Sequence, residues 1–253
     1  MEGGSPGVTG RAPGWLQRLF RWSGRPPAGH PPRDRSAYKA TWQQLAGSPD
    51  DAKMAVAGYA DEEELHASGR HTVDILDRLV GIQASDVVLE IGCGVGRVGK
   101  ILSPRCAKWI GTDISSRMLE VAAQRLRGCP NVELIELGAV GLREIPDARV
   151  DVVYCTVVFM HLFEWDRYRY VQEAFRVLKP GGRCFFDNVD ITSNHGWKVF
   201  MAGFAFQIES RPAHLSMTSS GDELHTYAVK AGFSDVRVHR WDDAWVGVTG
   251  TRK

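Results

Sequence analysis

An apolar run, Val87-Val88-Leu89-Glu90-Ile91, opens into Gly92-Cys93-Gly94-Val95-Gly96, and a second run, residues 108–112, is followed by Asp113. Those residue types at that spacing can hold a nucleoside-like ligand. Glycine is needed where a chain turns sharply after a strand and where a ligand lies against the backbone. A helix that follows such a loop points free N–H groups at the ligand and favours a carboxylate or phosphate there. Asp113 stands 17 residues after Gly96, where a carboxylate can accept from both hydroxyls of a ribose. Gly94, Gly96 and Gly99 also satisfy G-x-G-x-x-G, so an NAD(P)-dependent oxidoreductase is one reading. Two features oppose it: Glu90 sits two residues before the first glycine, and the glycines run G-x-G-x-G.

The elements that must position these residues alternate along the chain. Residues 38–45 and 61–80 read as helices, the second stopped by Gly81 and carrying Ile75, Leu76, Leu79 and Val80 on one face. Strands are expected at 87–91, 108–112, 132–137, 150–156 and 183–189. Helices fall between them at 97–102, from Ser115 or Ser116 to 127, and at 164–178. Ser220 with Glu223 forms a capping box for a helix to Ala231. The last two strands, 236–240 and 245–251, are too close together for a crossover helix and must pair antiparallel. The expected fold is a doubly wound, Rossmann-like α/β sheet of seven strands, mostly parallel, with a C-terminal antiparallel hairpin.

With Glu90 and the three glycines, the first loop resembles motif I of the class I S-adenosylmethionine (SAM) dependent methyltransferases. Gly111-Thr112-Asp113-Ile114-Ser115 with Met118-Leu119 is similar to the family's ribose-binding segment. Asp151-Val152-Val153-Tyr154-Cys155 through Met160-His161-Leu162 resembles its fourth strand and the loop after it. Arg176-Val177-Leu178-Lys179-Pro180-Gly181-Gly182 resembles the turn before its fifth strand. The four motifs lie in the family's order over about residues 85–190. The resemblance implies S-adenosyl-L-methionine as cofactor. Gly92, Gly94 and Gly96 would let the backbone approach its methionine part, Glu90 would fix the loop near the amino group, and Asp113 would hold the ribose. Ile114 and Met118 would flank the adenine. The acid that the family often places after its third strand is missing, since this stretch reads Leu137-Gly138-Ala139-Val140. Backbone groups of Ala139 and Val140 would meet the adenine instead, with Cys155 completing the expected cofactor shell.

Methyl transfer is an in-line displacement whose reactivity comes from the sulfonium, so the protein mainly aligns the reactants. A hydroxyl acceptor gains from a base, and histidine suits neutral pH. His161 is the candidate catalytic residue because it follows the fourth strand, at the mouth where open α/β sheets bind ligands; fixing the loop by a hydrogen bond is its other reading. His195 and His214 lie in residues 190–219, an expected lid whose Trp197, Phe200, Phe204 and Phe206 read as an aromatic lining or as core. Asp187-Asn188 resembles part of the magnesium site of catechol-type methyltransferases. The fourth strand ends Tyr154-Cys155-Thr156 without an acid, however, and two oxygen ligands are too few for magnesium, so no metal is expected. The Asn/Asp-Pro-Pro-Tyr/Phe motif of enzymes that methylate the amino groups of bases is absent, and the net charge is only +1. Both argue against a nucleic-acid partner. The expected function is methyl transfer from SAM to a small molecule, O-methylation favoured. A SAM-binding interaction module without catalysis is the alternative from another class.

Three units are expected: residues 1–36, a helical cap at 37–84, and the methyltransferase unit at 85–253. The first is rich in Gly, Pro and Arg, carries +4, and reads as a disordered tail. An amphipathic island, Trp15 to Trp22 with Arg18 and Arg21 interleaved, suits weak contact with a membrane surface or a partner. No run of 18 apolar residues suggests a span, and five cysteines without C-x-x-C spacing suit a reducing cytoplasm.

Overall fold

The computed structural model describes residues 34–253, so the expected tail and its amphipathic island lie outside the described residues, except for Asp34, Arg35 and Ser36. Three helices come first: α1 (Tyr38–Leu45), α2 (Pro49–Ala57) and α3 (Glu62–Leu79). The alternating part runs β1 (Val87–Ile91), α4 (Gly99–Leu102), β2 (Lys108–Asp113), α5 (Ser116–Arg125), β3 (Val132–Glu136), β4 (Val150–Cys155) and α6 (Glu164–Val177). It continues with β5 (Leu178–Val189), α7 (Asn194–Phe204), α8 (Gly221–Ala231), β6 (Ser234–Trp241) and β7 (Trp245–Thr251).

The strands form one seven-stranded sheet in the order β3-β2-β1-β4-β5-β7-β6. Strands β1 to β5 pair in parallel, while β7 runs antiparallel to both β5 and β6. The hairpin turn places Asp242 and Asp243 at positive φ, a conformation that Asp tolerates better than most residues. The fold therefore has the seven strands and the antiparallel ending that the sequence implies.

Side chains of a strand alternate between faces, and here both faces are covered. Leu89, Val153 and Phe186 pack with Val171 and Ala174 of α6 and with Leu224 and Ala228 of α8. Their neighbours Val88, Val152 and Phe185 turn the other way, to Leu76 of α3, Leu102 of α4 and Ala122 of α5. Each fully buried side chain of this size stabilises the fold by roughly 1.5–3 kcal/mol relative to exposure. Strand β5 begins at Leu178, earlier than expected, and takes Pro180-Gly181-Gly182 into an irregular stretch opposite Val150 and Val152.

The sequence reading leaves 49–57 without an element, yet α2 is complete. Ser48 accepts from Asp51 N–H as its N-cap, Pro49 opens it, and Gly58 closes it in the left-handed region. With α1 and α3 it packs on α5 through Ala52, Ala57, Leu65, Met118 and Val121. Gln43 joins α1 to the start of α5 by donating to Ser116 Oγ at 2.7 Å. After β5 the chain leaves the sheet and returns where Asp190 and Ser219 bridge. The excursion between them carries α7, whose Val199 packs with Met160, Val189 and Trp245. No described helix is long and apolar enough to cross a membrane.

Candidate active site

One cavity opens at the C-terminal ends of β1, β2 and β4. Its floor is Glu90 to Gly94 with Asp113 and Ile114; its roof is Tyr38, Trp42 and Leu45 of α1 with Met54 to Val56 of α2. The segment after β4 closes one side, and α7 with residues 212–216 closes another.

The glycine loop is fixed by the carboxylate that follows β2. Asp113 Oδ2 accepts from Gly94 N–H at 2.8 Å and its Oδ1 from Ser115 N–H at 2.9 Å. Burial pushes this carboxyl up to about 6, against the lowering effect of those N–H groups. Gly92 and Gly94 have φ of +70° and +51°, and a Cβ at either would collide with a wall of the cavity. It would lie 2.4 Å from Val158 Cγ2 at Gly92 and 2.3 Å from Val56 Cγ1 at Gly94. The loop is therefore made of glycine because its neighbours close on it.

Glu90 lies at the bottom of the cavity, 4% exposed. Burial pushes its carboxyl up to about 8. Tyr154 donates its hydroxyl to Glu90 Oε2 at 2.5 Å while accepting from Trp109 Nε1 at 3.0 Å. The cationic Arg97 beside it favours the charged carboxylate and is held by Ser68 O and Thr72 Oγ1 of α3. A buried acid that prefers its neutral form suits a site where a ligand brings the missing positive charge.

Most of the expected cofactor residues meet in this cavity: Glu90, Gly92, Gly94, Asp113, Ile114, Met118 and Val140 all line it. Three do not. Gly96 faces Leu126 of the core beneath the loop. Ala139 is exposed on the surface, so only Val140 of that pair reaches the cavity. Cys155 is fully buried in the sheet core because its strand parity matches that of Val153. The residue after it, Thr156, lines the cavity instead, and its Oγ1 is buried without a hydrogen-bond partner among the described residues.

His161 lines the cavity with its ring edge-on to Trp42, centroids 4.9 Å apart. Its Nδ1–H donates to the carbonyl oxygen of His214 at 2.9 Å, which leaves Nε2 as an acceptor. Burial, with the charges of Arg35 and Arg167 nearby, pushes the imidazole down to about 3. At neutral pH His161 is therefore uncharged in this arrangement, with Nε2 turned to the cavity side as an acceptor. Its second expected role, fixing the loop, has the contact it needs.

Further bonds draw the 190–219 excursion onto the loop after β4. Met217 N–H donates to Met160 O at 2.7 Å, and the Arg35 guanidinium donates to both Met160 O and Leu215 O. Arg167, 1% exposed, reaches Phe159 O, Ser219 Oγ and Glu223 Oε1. Glu223 thus directs its carboxylate to Arg167, so only Ser220's half of the expected capping box forms. Arg35 lies within the expected disordered tail, yet its guanidinium is bonded to the carbonyls of two cavity-lining residues, Met160 and Leu215. A further correction concerns the aromatic lining. Trp197, Phe200 and Phe204 of α7 are exposed and absent from the cavity, which Val199 and Ala202 line instead. Of the expected lid histidines, His214 lines the cavity and His195 does not.

Asp187 and Asn188 diverge. Asp187 Oδ1 accepts from Val157 N–H at 2.8 Å, and burial pushes that carboxyl up to about 7. Asn188 donates to Ser219 Oγ and accepts from Val189 N–H. Among the described residues no cluster of His, Cys, Asp and Glu could hold a metal ion.

A family model described as a methyltransferase domain matches residues 89–186. The chain is 30% identical over 201 residues to the chloroplastic 2-phytyl-1,4-beta-naphthoquinone methyltransferase of Arabidopsis thaliana, covering 70% of this chain and 76% of that one. It is 32% identical over 127 residues to a ubiquinone biosynthesis O-methyltransferase of Pseudomonas fluorescens, covering 50% and 53%. The chain spans about half the length of several such curated relatives. A SAM-dependent methyltransferase structure from Aquifex aeolicus superposes with a TM-score of 0.59 at 20% identity, covering 81% of this chain and 99% of that one. At that identity the likeness concerns the fold.

Proposed function

The chain belongs to the class I S-adenosylmethionine-dependent methyltransferase family, and from that premise we propose that it transfers a methyl group from SAM to a small-molecule acceptor, O-methylation favoured. The observation that carries this reading is the cavity itself, in which Glu90, the Gly92 to Gly94 backbone, Asp113 and Thr156 converge under the α1–α2 roof. The residues fit the cofactor. Glu90 is a buried acid suited to an ammonium, and Asp113 has lone pairs left beyond its two N–H partners for ribose hydroxyls. Thr156 Oγ1 is a buried polar atom without a partner among the described residues. Ile114, Met118 and Val140 offer apolar flanks to the adenine.

When bound, the cofactor supplies an electrophilic methyl on a sulfonium. The chain's own contribution is to orient the acceptor and exclude water. Trp42, Leu45, Met160, Leu162, Val199 and Leu215 form an apolar chamber above the loop, with His161 Nε2 as an acceptor for a hydroxyl. Alignment of this kind is worth up to roughly 7–11 kcal/mol, so no strong base is required. The named relatives support a quinol-like or phenolic acceptor, and the small net charge supports a partner other than nucleic acid. Five free cysteines support a reducing compartment such as the cytoplasm. The cap at 37–84 and the excursion at 190–219 serve in this reading as roof and lid. Turnover of methyl-labelled SAM against a panel of phenols, quinols and amines tests it. Label in a phenolic or quinol product supports it, and no transfer to any acceptor by a protein that binds S-adenosylhomocysteine (SAH) favours the interaction module.

A further inference from the structure

Helix α7 has its two faces assigned in an unexpected sense. Its small residues Gly196, Val199 and Ala202 face inward, to the core or the cavity. Its large ones face out: Trp197 is 53% exposed, Phe200 41%, Met201 40% and Phe204 66%. These four recur at helical spacing and form one stripe, with Trp197 and Phe200 stacked at 5.2 Å. A stripe of this kind marks an interaction surface, because soluble surfaces rarely carry contiguous large apolar groups.

We propose that the outer face of α7 seats on an anionic membrane surface, so that the acceptor chamber beneath it faces the bilayer. Three observations select a lipid surface as the occupant. The first is charge. From Ile191 to Ile208 the chain has no acidic residue, and its one charged side chain is Lys198. The second is continuity with other exposed aromatic surface. Leu215 lies against Gly203 of α7 and accepts from Arg35, which sits over the Phe163 ring, and Phe163 contacts Trp165, 77% exposed. The third is where the remaining chain enters. Residues 1–33 carry +4 and include Trp15-Leu16-Gln17-Arg18-Leu19-Phe20-Arg21-Trp22. They join the described structure beside Arg35, at the lid. Eleven residues, 23–33, lie between Trp22 and Asp34, so a second basic, aromatic stretch of sequence is tethered within about 40 Å of Arg35. Arginines interleaved with tryptophan suit anionic headgroups, and Asp243, the acid beside Trp197 and Lys198, accepts from Asn194.

The inner face of the same helix lines the chamber, so an acceptor dissolved in the bilayer would reach it without crossing water. That consequence rests on the methyl-transfer reading, whereas the docking surface does not.

The test uses the full chain and sucrose-loaded vesicles of phosphatidylcholine with phosphatidylglycerol, against phosphatidylcholine alone. Binding is expected to the anionic vesicles and to fall with salt. The double variant W197S/F204S should bind at least about tenfold more weakly while its thermal midpoint and SAH affinity stay unchanged, because neither side chain touches the cavity. Parent protein that ignores the vesicles, or a variant that sediments with them like the parent, overturns the proposal. So does faster hydrogen exchange in α7 when residues 1–33 are deleted in solution, which would make the tail the occupant of the stripe. A dimer in ultracentrifugation that the double variant abolishes would make a second copy the occupant and overturn it likewise. Vesicle binding by a protein that binds no SAH would defeat the methyl-transfer reading and leave this one standing.

Discussion

Gly92→Ala isolates the steric logic of the ligand loop. Gly92 has φ +70°, and a left-handed backbone costs an alanine about 1–2 kcal/mol. The new Cβ would also lie 2.4 Å from Val158 Cγ2 and 3.4 Å from its Cγ1, with Val158 Cβ at 3.5 Å. The first distance is about 1 Å short of ordinary contact, so Val158 or the loop must shift by that much. Overpacking of this sort costs typically about 1–3 kcal/mol more. A total near 3 kcal/mol lowers the thermal midpoint of a domain of this size by roughly 6–12 °C. Because both partners line the cavity, SAH affinity should fall as well. Val158→Ala removes both colliding methyl groups and leaves only the ordinary 3.5 Å contact. In a double-mutant cycle it should therefore do less harm in the Gly92→Ala background than in the parent, with the backbone cost persisting. Thermal unfolding and calorimetry of all four proteins provide the assay. A midpoint within about 2 °C of the parent for Gly92→Ala, or full additivity of the two losses, would refute the reasoning.

Glu90 predicts a pH dependence. Its folded form holds a proton up to about 8 against an ordinary 4.5, so more protons are bound folded than unfolded between those values. Stability relative to Glu90→Gln should be full below 4.5 and fall as pH rises toward 8; midpoints that rise together across pH 5–8 contradict this. Thr156→Val should leave the unliganded midpoint equal or higher, since it removes a buried hydroxyl without a partner among the described residues, yet weaken SAH by roughly fivefold, about 1 kcal/mol; equal affinity would remove Thr156 from the site. His161→Gln should lower kcat/KM for the acceptor with SAH affinity held within about threefold. A parent pH–rate limb near 6.5 that vanishes in this variant would contradict an imidazole held down to about 3.

The parts of the site that follow from backbone chemistry were readable in the sequence. The glycine run after an apolar strand and the acid after the next strand point to a tight ligand-binding turn, the closely spaced last strands must pair antiparallel, and Asp113 does meet Gly94. What escaped depends on phase and on long-range contact. Cys155 and Thr156 are neighbours, and only the exact strand end decides which one leaves the core for the cavity. The two faces of α7 are both apolar, so hydropathy could not tell that the small residues go inward and the aromatics outward. Arg35 resembles the other arginines of a basic, proline-rich stretch, and its distinction is a pair of carbonyls 125 and 180 residues away. Helix α2 had a Ser-Pro start and a Gly stop in plain view, but its nine residues offer too little periodicity to outweigh a loop.

The central claim is that the cavity under α1 and α2 is a SAM site closed at its ribose end by Asp113. Calorimetric titration of SAH into the parent and into Asp113→Ala tests it most directly. Hydrogen bonds to a charged acceptor are worth roughly 1.5–3 kcal/mol each, so the account predicts one SAH per parent chain and an affinity about 10- to 100-fold weaker in the variant. No heat of binding in the parent, or the same affinity in both, would contradict it.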